Sequence, residues 1–189
     1  MALRNIRKDE DSALYKDCRP YTEFNERLWE LLDDMGETMM DASGVGLAAP
    51  QVGVIRRCCV VLETNVAEDE EEYIIELVNP EIIEADGEQT GWEGCLSFPG
   101  LFGSVTRPNH VVVKAQDRFG KEFTVEGEGL TARAFCHEID HLSGHVFKEL
   151  STELLTEEEL QERFAAEEPD EDMEDFAETE ELEEAGEQA

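Results

Sequence analysis

Cys136-His137-Glu138-Ile139-Asp140-His141-Leu142-Ser143-Gly144 is the stretch on which the rest of the chain depends. It contains H-E-x-x-H, two histidines four apart with a glutamate directly after the first. On an α-helix, positions i and i+4 share a face, so both imidazoles point at one ion. Glu138 lies beside the first histidine and three before the second, so its carboxylate reaches the same space. The pattern holds a metal ion and keeps a base next to the water that the ion activates. The plain alternative is a surface helix that is polar on one face. The chain has four histidines (His110, His137, His141 and His145), and two of them fall in this motif. Phe135, Ile139 and Leu142 give an apolar stripe, which predicts a helix over residues 131–142. Gly144 suits its C-terminal cap.

Composition bounds what surrounds that helix. The chain has 189 residues, 40% of them hydrophobic, enough for one cored domain with an appendage. It carries 48 acids against 15 bases, a net charge of −33. Residues 151–189 alone hold 18 acids and one base, Arg163, a net −17. Such a field disfavours direct binding to a phosphate backbone, DNA included. The opening Met1-Ala2-Leu3-Arg4-Asn5-Ile6-Arg7-Lys8 has no signal-peptide pattern, and no apolar run reaches membrane-spanning length. Cys18, Cys58, Cys59, Cys95 and Cys136 make an odd count with a vicinal pair. Together these favour reduced thiols in a cytosol over a disulfide framework.

Residues 1–20 read as an irregular arm anchored by Leu3, Ile6 and Leu14. A helix is expected to start with Thr22 as its N-cap and Glu23 and Glu26 in its first turn. Phe24, Leu28, Leu31, Met35 and Met39 recur at helical spacing, and the helix should end near Ala42-Ser43-Gly44. Gly44-Val45-Gly46-Leu47-Ala48-Ala49-Pro50-Gln51 reads first as a tight loop between a helix and a strand, with backbone passing close to something. Residues 55–62 read as a strand that includes Cys58 and Cys59. The acidic run at residues 68–72 reads as a loop. Residues 73–78 and 81–85 read as two strands around Asn79-Pro80, with Asp86-Gly87 as a turn. Residues 110–115 and 122–125 read as a hairpin, and His110 reads as structural. A short helix is expected within 156–164. The acid-dominated segment 169–189 reads as disordered.

Two histidines leave a catalytic metal in need of a third protein ligand and an open position. One peptidase pattern extends the motif to H-E-x-x-H-x-x-G-x-x-H. Gly144 fits it, but position 147 is Phe147, and His145 is off by two. Another recruits a downstream glutamate, and no recognisable helix motif carries one here. Among cysteines, Cys136 projects about 100° from His137 and makes a poor companion. Cys95, in Glu93-Gly94-Cys95-Leu96-Ser97, is the better candidate, although spacing alone does not choose it over Cys136, and a buried strand cysteine is its plain alternative. Glu93 is a candidate to orient an imidazole N–H, and Asp140 a candidate to pair with Arg107, with an ordinary surface salt bridge as the plain alternative for each.

Three segments together resemble the peptide deformylase family: Gly44 to Gln51, Glu93 to Ser97, and His137-Glu138-Ile139-Asp140-His141-Leu142-x-Gly144. The opening residues and Val105-Thr106-Arg107 are similar as well. The resemblance implies that Cys95, His137 and His141 bind one divalent metal ion, ferrous iron by expectation, with zinc or nickel as alternatives. It implies Glu138 as the catalytic acid/base, with Gln51 and the Leu96 N–H as donors to the substrate oxygen. It further implies that the Gly44, Val45 and Gly46 backbone pairs with an extended peptide. The expected reaction is removal of the formyl group from the N-terminal formylmethionine of nascent proteins, by a monomer in a bacterial cytoplasm. In this family a C-terminal helix can contact the ribosome, which the acidic tail here opposes. Two departures stand out: Cys136 occupies the position where the family usually has glutamine, and Asp11-Ser12 replaces aspartate-proline. With the element pattern, the resemblance predicts an α+β fold. Mixed or antiparallel strands surround a central metal-binding helix, with an N-terminal helix and an acidic C-terminal tail. The expected division is a catalytic domain over 1–150, a short helix within 151–168 and the tail 169–189.

Overall fold

The computed structural model describes residues 2–67 and 71–167. Residues 68–70 of the acidic loop and the segment 169–189, expected to be disordered, lie outside the described residues. In chain order the elements begin with a 3-10 turn (Ser12–Tyr15), α1 (Glu26–Asp41), β1 (Gly46–Ala48) and a second 3-10 turn (Ala49–Val52). Six strands follow: β2 (Cys58–Glu63), β3 (Tyr73–Asp86), β4 (Gln89–Cys95), β5 (Phe98–Arg107), β6 (His110–Gln116) and β7 (Glu122–Glu128). Then come α2 (Leu130–Leu142), a 3-10 turn (Phe147–Glu149), β8 (Glu153–Thr156) and α3 (Glu157–Glu167). This is a mixed α+β architecture. One sheet has the order β1-β2-β3-β6-β7 and the other β4-β5-β8, with antiparallel pairing between neighbours.

Strand periodicity explains where the helices sit. Successive side chains point to opposite faces of a strand. Cys58 and Val60 therefore pack with Leu28, Leu31, Leu32, Met35 and Met39 of α1 on one face. Cys59 and Val61 pack with Ala132, Phe135 and Leu142 of α2 on the other. The vicinal cysteines are buried strand residues, and all five thiols are free. Each fully buried Leu or Phe contributes roughly 2 kcal/mol, so both helices are held by the apolar faces that their spacing announces. A third cluster joins Leu14, Phe98, Val105, Val146 and Phe147 under the small sheet.

Helix α2 packs on the five-stranded sheet and touches β5 of the smaller one. Gly129 opens it at φ +57, a backbone conformation that favours glycine. At its end, Gly144 donates to the His141 carbonyl (3.2 Å) and His145 to the Asp140 carbonyl (3.0 Å). These bonds form a Schellman closure with Gly144 at φ +75. A Cβ on Gly144 would also meet the Tyr15 carbonyl at 2.9 Å, so a side chain is excluded there.

Several expectations need correction. Thr22 does not cap α1: Asn25 does, its side chain accepting from the Arg27 N–H at 3.1 Å, and Phe24 precedes the helix. Residues 73–86 form one strand, not two. Asn79 adopts φ +51 at a register shift, and Pro80, which lacks an N–H, falls at that irregularity. Asn79 tolerates this because its side chain bonds Tyr21 at both backbone groups (2.7 and 2.9 Å) and Gln116 at 2.8 Å. Leu3 is 60% exposed and anchors nothing, whereas Leu14 is fully buried. Strand β2 begins at Cys58 rather than residue 55. Strands β4, β5 and β8 were not anticipated. The short helix within 156–164 is α3, and Thr156 with Glu159 forms a reciprocal capping box at its start. Among the described residues no helix is long and apolar enough to cross a membrane.

Candidate active site

Two elements deliver three soft or borderline ligand atoms to one point. His137 and His141 come from one face of α2, with ring centroids 5.0 Å apart. Cys95 comes from the end of β4, where a register shift between Gly94 and Cys95 re-aims the chain just before a two-residue turn. The Cys95 Sγ lies 3.4 Å from His141 Nε2, and the three ligand atoms fall within 4.8 Å of one another. Spacing left Cys95 and Cys136 open. The structure brings Cys95 to the histidines and puts Cys136 in the core, where burial pushes its thiol up to about 11. A thiolate with two imidazoles suits a transition metal such as iron, nickel or zinc and leaves a coordination position open. Burial holds His141 well below its ordinary pKa, helped by the neighbouring charge of His137. Its ring therefore stays neutral, the form that donates a lone pair. Position 147, where a peptidase would place a third histidine, is instead a buried Phe147 stacked on the His137 ring at 6.0 Å.

Glu138 is 4% exposed, and its Oε2 has no hydrogen-bond partner among the described residues. Burial pushes its carboxyl up to about 7, against the attraction of His137. The side chain lies directly under β1: a Cβ on Gly46 would collide with Glu138 Oε1. Gly46 is thus a glycine because the carboxylate occupies the place of its side chain.

Gln51 is 1% exposed, in the 3-10 turn that follows β1. Its Oε1 accepts from the Ala48 N–H at 2.8 Å, which fixes the amide. Its Nε2 faces Cys95 Sγ at 3.4 Å and Ser97 Oγ at 3.2 Å. Leu96 forms the β4–β5 turn with Ser97, closed by the Cys95–Phe98 pair. Its side chain would be struck at 2.8 Å by a Cβ on Gly44. Gly44, Val45, Gly46, Gln51, Glu93, Cys95, Leu96, His137 and Glu138 line one cleft of about 400 Å³. Trp92, Phe98, Leu101, Phe102 and Leu130 add apolar walls. Strand β1 is an edge strand, bonded to β2 on one side only.

A buried ionic network stands behind the histidines. Glu93 Oε2 is 3.0 Å from His137 Nδ1. The same carboxylate accepts two bonds from Arg107 (2.9 and 3.1 Å) and one from Arg133 (2.8 Å). Arg107 also reaches Asp140 at 2.5 Å. Burial disfavours the charge of Glu93, but the bonds from His137 and Arg107 overcome this and hold it at about 2. A carboxylate on Nδ1 fixes the imidazole orientation and leaves Nε2 for a ligand. Glu93, Arg107 and Asp140 were visible in the sequence as candidates; Arg133 was missed. The signal was its position four before His137, on the same helical face. His110 sits at the start of β6 beside Asp86 (3.0 Å), away from the cleft, and His145 pairs with Glu149 on the surface.

Comparison with known proteins gives this geometry its relatives. The family model described as polypeptide deformylase matches residues 3–154. The chain belongs to the peptide deformylase family. It is 53% identical over 163 residues to the peptide deformylase of Caldicellulosiruptor bescii, covering 86% of this chain and 94% of the relative. It is 59% identical over 149 residues to that of Lachnoclostridium phytofermentans, covering 79% and 89%. The crystal structure of the Thermotoga maritima peptide deformylase matches with a TM-score of 0.74 at 38% identity, over 80% of this chain and 99% of that one. A structure of the Acinetobacter baumannii class I type b peptide deformylase with Met-Ala-Ser bound matches with a TM-score of 0.72 at 34% identity, over 78% and 98%. Deformylases are metal-dependent hydrolases that remove the formyl group from the N terminus of newly made proteins. That is the activity of this chain.

Proposed function

We propose that the cleft performs formyl hydrolysis with the following division of labour. Cys95, His137 and His141 hold one divalent ion, by expectation ferrous iron, with zinc or nickel able to replace it. Glu138 moves the protons, Gln51 Nε2 and the Leu96 N–H meet the substrate oxygen, and the Gly44–Gly46 backbone takes the peptide. The observation that carries this reading is the convergence of Cys95, His137 and His141 within 4.8 Å, beside a buried carboxylate.

When bound, the ion supplies Lewis acidity, which lets a water attack the formyl carbon at neutral pH. Glu138 accepts a proton from the attacking water. Gln51 and the Leu96 N–H donate to the oxygen on which negative charge develops, each worth about 3–4 kcal/mol in the transition state. Glu138 then returns the proton to the leaving nitrogen, the C–N bond breaks, and formate and a free amino terminus depart. The apolar walls at Trp92, Leu101, Phe102 and Leu130 suit a methionine side chain. The free edge of β1 suits an extended peptide that adds as a strand and is read by main chain rather than by sequence. The Acinetobacter relative is described with Met-Ala-Ser bound, a peptide that begins with methionine. The reading places the enzyme as a monomer in a bacterial cytoplasm, acting on nascent chains, where its acidic C-terminal segment opposes docking on ribosomal RNA.

Metal content separates the roles. Cys95→Ala is expected to purify without stoichiometric metal, whereas Glu138→Ala retains metal and loses about 10²–10⁴ in turnover. Full metal in Cys95→Ala, or full turnover in Glu138→Ala, would refute the corresponding assignment.

A further inference from the structure

We propose that Lys8 is a positioning residue for this hydrolysis: by holding the Leu96 carbonyl, it locks the turn that carries one oxyanion donor and supports the other. The inference rests on the reading that Gln51 and the Leu96 N–H meet the substrate oxygen.

The two donors belong to different parts of the fold. Gln51 follows β1 in the five-stranded sheet, and Leu96 lies in the β4–β5 turn of the small sheet. The N-terminal arm spans both. The Ala2 N–H bonds Asp34 at 2.7 Å and the Arg4 N–H bonds Thr38 at 2.9 Å, fastening the arm to α1. The Arg7 N–H then donates to the Gln51 carbonyl at 2.7 Å. Lys8 Nζ donates to the Leu96 carbonyl, also at 2.7 Å. Consecutive arm residues thus hold the backbones of both proposed donors.

The Leu96 carbonyl belongs to the peptide between Leu96 and Ser97, the middle of a two-residue turn. That peptide is the turn's soft point, because turn types interconvert by rotating it, which changes ψ of the first residue and φ of the second. Such a rotation would carry Ser97, whose Oγ accepts from Gln51 Nε2. It would also shift Leu96, whose side chain packs into the space that Gly44 leaves open. A bond from an ammonium to a carbonyl is charge-assisted and stronger than a neutral one. Among the described residues no carboxylate lies within ion-pair distance of Lys8. Its cation is therefore directed at this carbonyl rather than shared with an acid. Turnover needs the donors fixed before the oxyanion forms, so a lock on the turn should act on kcat more than on substrate affinity.

The test uses the full chain, purified anaerobically and loaded with nickel, in wild-type, Lys8→Met, Lys8→Arg and Gln51→Ala forms. Lys8→Met is expected to lower kcat about tenfold, a fraction of the loss from removing a donor outright. KM should stay within twofold, with metal content and Tm unchanged and faster amide exchange at Leu96 and Ser97. Lys8→Arg, which keeps a cationic donor, should recover most of kcat. Wild-type kcat in Lys8→Met would overturn the proposal, as would a loss that tracks metal content or Tm. If Gln51→Ala turns over at the wild-type rate, the donor reading itself fails. If Gln51→Ala is impaired and Lys8→Met is not, only the role of Lys8 falls.

Discussion

Single residues set the chemistry by what they leave out as much as by what they supply. Gly46 leaves room for Glu138: a methyl group there would collide with the carboxylate oxygen. Gly46→Ala should therefore lower kcat by about 10²-fold through misplacement alone, with metal still bound. Steady-state kinetics with metal analysis checks this, and wild-type turnover would contradict it. The sequence showed that glycines here let backbone pass close to something, but not that the something is a carboxylate ninety-two positions later. The ligand residues were legible because i, i+4 spacing on a helix is a geometric statement. The third ligand was not legible from spacing, since Cys95 reaches the helix only through the pairing of two strands. Arg133 escaped for a similar reason. An arginine on a helix reads as a solvated charge until the small sheet covers it and Glu93 receives it.

Elements built on simple periodicity were read well, and those bent by glycine, proline or a bulge were not. Helices α1 and α2 follow their apolar stripes closely. Strand β5 begins Phe98-Pro99-Gly100, a pattern that argues for a loop. It is a strand because β4 pairs along its length and β8 covers its other edge. Its Gly103 is required by tertiary contact, since a Cβ would lie 2.8 Å from Ser151 and 2.9 Å from Phe147. The start of α1 was misplaced because Thr22 and Asn25 are both good caps, and three residues of sequence do not decide between them. The choice is measurable. Asn25→Ala should destabilise by about 1 kcal/mol, whereas Thr22→Ala, at an exposed position, should stay within about 0.5 kcal/mol. Thermal or urea unfolding of the two variants checks the order, and a larger effect from Thr22→Ala would reverse the assignment.

At the scale of the whole molecule, two sheets must keep their relation for the site to exist, and the segments that tie them together can be tested. Residues 153–156 pair with β5, and Leu160 of α3 is buried. A chain ending at Leu150 should therefore show a clearly lower Tm; an unchanged Tm would show that β8 and α3 add nothing. The N-terminal arm is tied through Asp34. Burial disfavours its charge, but the Ala2 N–H and the Arg4 guanidinium outweigh this and hold the carboxyl below its ordinary range. A depressed native pKa means that the tether's contribution is complete above the ordinary carboxylate range and fades as pH falls through the native value. Asp34→Asn should thus melt lower than wild type at pH 7, with the gap closing below about pH 4. A gap that persists at low pH would contradict that account. The most direct test of the central claim is formate release from a formyl-Met peptide by anaerobically purified protein carrying ferrous iron or nickel. Stoichiometric formate with the peptide bonds intact is the predicted result. Cleavage inside an unformylated peptide, or bound metal with no formate, would contradict it.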